Sequence, residues 1–230
     1  MKVAIIIFPG SNCDKDIMKA VKIITGKNPI LVWHKDTSLP SVDLIILPGG
    51  FSYGDYLRCG ALAAKSSILE SVISSSLSGV PILGICNGFQ ILLETNLLPG
   101  VLIRNKNLKF ICKNIKLKVN KNVNSIFSNS LPKNKILEIP IAHNEGNYFI
   151  SNLELNKLKK NNQILFTYYG HNNSNDYNPN GSVEDIAGII SSNGRTLGMM
   201  PHPERALGDG NKSSDGLLFL KGLFIEINNV

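Results

Sequence analysis

Three short segments of this chain carry residue types that can do covalent chemistry. The first is Gly84-Ile85-Cys86-Asn87-Gly88. Its thiol sits between an apolar run, Val80 to Ile85, and a helix-like segment, Asn87 to Glu94. A strand that turns sharply into a helix, with glycines on both sides, lifts the central side chain clear of the sheet, as in a nucleophile elbow. The new helix then points its N-terminus at the sulfur, which favours thiolate over thiol. A free cysteine is most often a small buried apolar residue; the flanking glycines and the strand-to-helix position argue for a nucleophile here. Cys59 and Cys112 lack that setting and read as structural, and Cys13 as packing or pocket wall.

A cysteine nucleophile needs a base and an acid to orient it. His202 stands in Met200-Pro201-His202-Pro203-Glu204-Arg205, directly after an apolar strand-like run. Two prolines restrict the backbone around the imidazole. Glu204, two residues on, can reach a ring nitrogen, set the tautomer and stabilise imidazolium. His143 and Glu145 form a rival pair, also after a strand but without proline restraint, and read more readily as part of a pocket or partner face. His34 and His171 read as ordinary. His202 and Glu204 could also ligate a metal, but no third ligand has a convincing spacing, so no metal is expected. The third segment, Pro48-Gly49-Gly50-Phe51, follows another strand. The Gly50 or Phe51 N–H, together with that of Asn87, could hold an oxyanion. Tyr53, Asp55 and Arg58 come next and could cover a pocket, face a partner, or form a solvated loop.

The elements that must position these groups alternate in the first half. Val3 to Phe8 reads as a buried strand, followed by a helix capped by Ser11 or Asn12 and stopped at Gly26. Ile30 to Trp33 and Leu44 to Leu47 read as strands, and Arg58 to Leu77 as one long helix. In the second half, Ile115, Leu117 and Val119 alternate with lysines, as in a strand with one wet face. Leu137 to Ala142 and Ile164 to Tyr168 read as further strands. Ala187 to Ile190 and Thr196 to Met200 flank a hairpin turn at Ser192-Asn193-Gly194. Leu217 to Ile227 reads as a closing helix. The pattern predicts one α/β domain over residues 1–230, a three-layer α/β/α sandwich with a mostly parallel central sheet.

Composition narrows the classes. The 43% apolar content suffices for a full core. The formal charge of +7 comes from lysines scattered among asparagines, with no arginine-rich arm, which reads as a solvated basic surface and not as a nucleic-acid site. The cysteines lack C-x-x-C spacing, and no apolar run reaches membrane-spanning length, so a cytoplasmic protein is expected. There is no Walker motif and no G-x-G-x-x-G after a strand.

Taken together, Pro48-Gly49-Gly50, Gly84 to Gly88 and Pro201-His202-Pro203-Glu204 resemble the class I glutamine amidotransferases. Within that class, Leu47 to Arg58, Phe8 to Asp14, Asn178 to Ser182 and Gly198 to Arg205 are similar to the free-standing glutaminase subunits of phosphoribosylformylglycinamidine synthases. The likeness runs end to end and implies the flavodoxin-like fold of that class. It further implies a Cys86-His202-Glu204 triad and a γ-glutamyl thioester, with Gly49, Gly50, Phe51, Asn87 and Gln90 lining an oxyanion and glutamine pocket. L-Glutamine would be the substrate, and the ammonia would go to a large synthetase subunit in a complex with a small third subunit, in purine synthesis. No cofactor is expected in this chain, since the partner subunit would use ATP and magnesium. The same fold also serves other acceptors and standalone cysteine hydrolases. The chain departs from the pattern at Asn144, where glycine is usual, and at Thr167, where arginine is usual.

Overall fold

The structure is a computed structural model that describes residues 1–120, 122–132, 135–170, 177–210 and 213–229. His171 lies outside the described residues, as do 172–176 of the polar stretch that follows it.

Among the described residues, nine strands form the main sheet. β1 (Val3–Ile7) pairs in parallel with β2 (Ile30–Trp33) on one side and β3 (Leu44–Leu47) on the other. β3 continues in parallel to β4 (Ile82–Ile85), and β4 to the late strand β11 (Thr196–Met199). Beyond β11 the sheet turns antiparallel through β10 (Ile186–Ile190), β9 (Ile164–Tyr169), β6 (Ile111–Val119) and β7 (Ile136–His143). β3, β4 and β11 are buried along their whole length, which is why they read as unbroken apolar runs. β6 buries Ile115, Leu117 and Val119 and leaves Lys116 and Lys118 in water, as its alternation predicts. The turn at Ser192-Asn193-Gly194 does join two antiparallel strands.

Helices lie on both sides of the sheet: α1 (Asp14–Thr25), α2 (Ile68–Leu77), α3 (Asn87–Glu94), α4 (Asn152–Lys160) and α5 (Asp215–Asn228). α1 buries Ile17, Ala20 and Val21 and ends at Gly26 in the left-handed conformation, as expected. Its N-cap, however, is Cys13 and not Ser11 or Asn12, because the Ser11 hydroxyl turns back to accept the Phe8 N–H at 3.0 Å. The long helix expected from Arg58 is also corrected. Only Ile68 to Leu77 is α-helical. Gly60 adopts φ +84° and Ser66 is extended, so 58–67 runs as turns with a single 3-10 turn at Ala63–Lys65. A small second sheet of β5 (Val101–Ile103) and β8 (Asn147–Phe149), together with α4, was not expected. Among the described residues no helix is long and apolar enough to cross a membrane.

β1, β3, β4 and β11 are mutually parallel, so their C-terminal ends share one edge of the sheet. β9 points to the same edge after two antiparallel reversals, and β7 after two more. All three chemical segments leave from these ends. The junction is tight because the elbow glycines are sites of close approach. A Cβ on Gly88 would lie 2.0 Å from Leu47 O, and one on Gly84 2.8 Å from Gly88 O. Gly88→Ala should therefore force α3 off β3 and destabilise the protein by about 2–3 kcal/mol in chemical denaturation, since the clash is with backbone that cannot rotate away.

Candidate active site

The turn from β4 into α3 places Cys86 at φ +51°, ψ −103°, a strained conformation for a residue with a side chain. The strain is held by backbone pairing on both sides of it. Cys86 N–H donates to Met199 O at 2.8 Å, and Cys86 O accepts from Gln90 N–H at 3.1 Å. The Cys86 thiol points toward Ala142 O at 3.8 Å.

His202 follows β11 and is 1% exposed; Glu204 is 2% exposed. His202 Nδ1 and Glu204 Oε1 lie 2.7 Å apart. His202 N–H donates to Pro140 O at 2.8 Å, so β7 braces the base although it ends the far side of the sheet. Pro203 starts a single 3-10 turn that brings Glu204 back under the ring. Burial alone would lower the His202 pKa, but the Glu204 carboxylate and then the Cys86 sulfur outweigh it and hold the imidazole well above its usual range. Its Nε2 makes no hydrogen bond to the protein, and neither does Glu204 Oε2. With Nδ1 engaged by Glu204, Nε2 is the ring nitrogen left without a partner.

The loop after β3 completes the rim. A Cβ on Gly49 would meet His202 Cε1 at 2.7 Å, so only glycine lets the imidazole stand there. Phe51 N–H is already bonded to Gly10 O at 2.9 Å, which removes it as an oxyanion donor and leaves the Gly50 and Asn87 N–H groups for that role. Asn87 ties the loop to the elbow, since its Oδ1 accepts from Ser52 N–H at 3.2 Å and its Nδ2 donates to Gln90 Oε1 at 2.8 Å. Gln90 in turn donates to Glu145 O at 2.8 Å.

The other candidates divide. The Tyr53 hydroxyl folds back onto His34 Nδ1 at 2.7 Å and Ser66 at 3.1 Å. His34 is accordingly buried and bonded. Asp55 is partly buried; its carboxyl is raised first by burial, with Cys59 and Glu145 beside it. Arg58 forks onto Glu94, at 2.6 Å from Nε and 2.8 Å from Nη2. His143 is buried next to the triad, and burial with the charge of His202 lowers its pKa to about 4. Glu145 faces the Cys59 N–H at 3.4 Å and Arg104 at 4.0 Å. Cys112 is exposed.

Cys13 lies closer to the chemistry than its spacing suggests. Its Sγ is 3.2 Å from Arg205 Nη2, and it groups with His202 and Glu204 with ligand atoms within 4.8 Å of one another. The fold thus supplies the third ligand that the sequence does not reveal. The Arg205 guanidinium, bonded to Asp16 at 2.9 Å, places a positive charge against that group and opposes a cation. Two buried asparagines were not named as site residues from the sequence. Asn105 holds the His143 to Gly146 segment, and Asn180 donates to Gly146 O at 2.7 Å and to the Tyr168 hydroxyl at 3.0 Å. Asn180 lies in the Asn178 to Ser182 segment that carries the family resemblance, whereas nothing in the sequence marks Asn105.

A buried acid, an imidazole and an elbow thiol at one sheet edge define a class of cysteine hydrolase, and comparison with known proteins narrows it. Residues 1–215 match the family model for the CobB/CobQ-like glutamine amidotransferase domain, and the chain belongs to that family. It is 51% identical over 232 residues to the phosphoribosylformylglycinamidine synthase subunit PurQ of Pelagibacter ubique, covering 100% of both chains. It is 50% identical to the PurQ subunit of Bartonella henselae over 96% of each. Its structure superposes on a chain of the PurLQS structure from Thermotoga maritima with a TM-score of 0.83 at 40% identity, covering 99% of this chain and 97% of that one. A Thermoplasma acidophilum protein assigned to GMP synthase, at 15% identity and a TM-score of 0.64, shares the fold.

Two outcomes follow from this geometry. Gly49→Ala should push His202 off Glu204 and slow iodoacetamide alkylation of Cys86 by about tenfold or more near neutral pH, with the fold retained by circular dichroism. Glu204→Gln removes the main influence that raises the His202 pKa. Because a raised value keeps imidazolium present to higher pH, the variant should lose the imidazolium at lower pH than the parent, read by the histidine ring signals in NMR.

Proposed function

We propose that this chain is the glutaminase subunit of a phosphoribosylformylglycinamidine synthase. It hydrolyses L-glutamine to glutamate and passes the ammonia to an ATP-dependent synthetase subunit, which amidates phosphoribosylformylglycinamide in purine synthesis. The observation that carries the reading is the buried His202–Glu204 pair beside a strained Cys86, in a chain that matches PurQ subunits over its full length.

Cys86 thiolate attacks the side-chain amide carbon of glutamine. The Gly50 and Asn87 N–H groups stabilise the tetrahedral oxyanion, where a single such donor is typically worth about 10²–10³ in rate. His202, as imidazolium held by Glu204, protonates the nitrogen as the C–N bond breaks, and ammonia leaves. Water, deprotonated by His202, then hydrolyses the thioester and frees glutamate. The Gln90–Glu145 bond closes one wall of the glutamine pocket. The protein works in the cytoplasm, where its thiols stay reduced, in a complex with a small third subunit and the large synthetase subunit. It holds no cofactor of its own; ATP and magnesium serve the synthetase subunit.

In the assembled complex, Cys86→Ala should lower glutamine-dependent amidine formation by about 10⁴-fold or more while ammonia-dependent formation stays at the parental rate. Loss of both activities, or of neither, would contradict the reading.

A further inference from the structure

His143 is a buried histidine that the proposed triad does not use. It ends β7, directly after Ala142, whose carbonyl faces the Cys86 sulfur. The ring is 2% exposed, and its Nε2 is buried with no hydrogen-bond partner. A buried polar atom without a partner costs stability, so one retained on the residue after the carbonyl that faces Cys86 points to a ligand.

The neighbours of the ring fix its tautomer. Asn105 Nδ2 donates to Lys109 O at 2.8 Å and to His143 O at 3.0 Å. Those two carbonyls can only accept, so the amide orientation is set and Asn105 Oδ1 must be the acceptor. Oδ1 takes the Gly146 N–H at 3.1 Å and faces His143 Nδ1 at 3.0 Å. Nδ1 therefore carries the proton and Nε2 presents a bare lone pair. Gly146 lies flat against the ring, since a Cβ there would come within 2.3 Å of Cε1. The imidazole can neither flip nor swing. It also stays neutral, because burial and then His202 push its pKa down to about 4.

We propose that His143 Nε2 is the hydrogen-bond acceptor for the nitrogen that leaves glutamine. This rests on the glutaminase reading above. As Cys86 forms its bond to the amide carbon, one N–H of the amide points to Nε2. When the C–N bond breaks, the electron pair stays on nitrogen, His202 supplies the proton, and the ammonia remains hydrogen-bonded to Nε2. No proton passes to or from His143. A neutral acceptor of this kind holds ammonia without protonating it, so the ammonia stays nucleophilic for the partner subunit. A histidine with an ordinary pKa would be partly imidazolium and would trap it as ammonium.

Two measurements test this. In the complex with the synthetase subunit, His143→Phe keeps a ring but removes the lone pair. The expected result is a fall in glutamine-dependent kcat of about tenfold with KM for glutamine within about twofold, and fewer amidines formed per glutamate released. Ammonia-supported synthesis should be unchanged. An unchanged kcat and amidine-to-glutamate ratio, or a change in KM alone, would overturn the proposal. The parent protein supplies the second measurement, so a variant that fails to fold leaves the test intact. His143 is the one histidine preceded by alanine, so selective ¹³C-alanine and ¹⁵N-histidine labelling assigns its ring. Its Nε2 should show the ¹⁵N shift of an unprotonated nitrogen from pH 5.5 to 8, and a protonated Nε2 would overturn the proposal. Glutamine turnover that survives Cys86→Ala would instead remove the Cys86 thioester step on which it rests.

Discussion

The site depends on one buried contact, the 2.7 Å pairing of His202 Nδ1 with Glu204 Oε1. Both side chains are almost wholly inside the protein, where an unpaired charge is costly and a paired one is strongly held. The pairing engages Nδ1, leaves Nε2 without a partner, and raises the imidazole pKa against the effect of burial. Most of what surrounds it serves to keep it in place. Pro203 sets the turn, Pro140 O anchors the His202 backbone, and Gly49 leaves the space that the ring fills.

That contact exists because parallel strands end together. β3, β4 and β11 are distant in sequence and adjacent in space, and each delivers one part of the site as it leaves the sheet. The antiparallel wing adds a second layer. β7 returns to brace the His202 backbone through Pro140 O and turns the Ala142 carbonyl, one residue before His143, toward the Cys86 sulfur. The outcome is two buried histidines whose pKa values are moved apart: His202 is raised by its carboxylate, and His143 is depressed by burial and by His202 itself.

The turn at Cys86, the closeness of His202 to Glu204, the parallel half of the sheet and the Ser192 to Gly194 hairpin were legible in the sequence because each has a local signature. Apolar runs mark strands buried on both faces, and glycines flank the elbow. What was missed has two physical causes. Some signals were weak against their surroundings. The residues from Ser151 to Glu154 form a capping box, with Ser151 Oγ accepting the Glu154 N–H and donating to its carboxylate, but the helix that follows is short and lysine-rich. Others depend on tertiary contacts that leave no local trace. Cys13 meets Arg205 across 192 positions, and Asn105 meets His143 across 38. Helix propensity from Arg58 onward was overridden because Gly60 packs against the backbone of Gln90 and Ile91 in a left-handed conformation. The departures from the family pattern are absorbed without touching the triad. The Asn144 carbonyl accepts the Asn105 N–H, a backbone role that any residue can fill. Thr167 sits within β9, opposite Lys118 and Ile186, at a distance in the sheet from the elbow.

The most direct test of the central claim is peptide mapping by mass spectrometry after exposure to a glutamine-mimicking electrophile, in the presence of the synthetase partner, with or without excess glutamine. The expected result is a single adduct on Cys86 that glutamine prevents and that Glu204→Gln slows. An adduct distributed over Cys13, Cys59 and Cys112, or one on Cys86 that glutamine does not affect, would contradict a glutamine-specific nucleophile built on the His202–Glu204 pair.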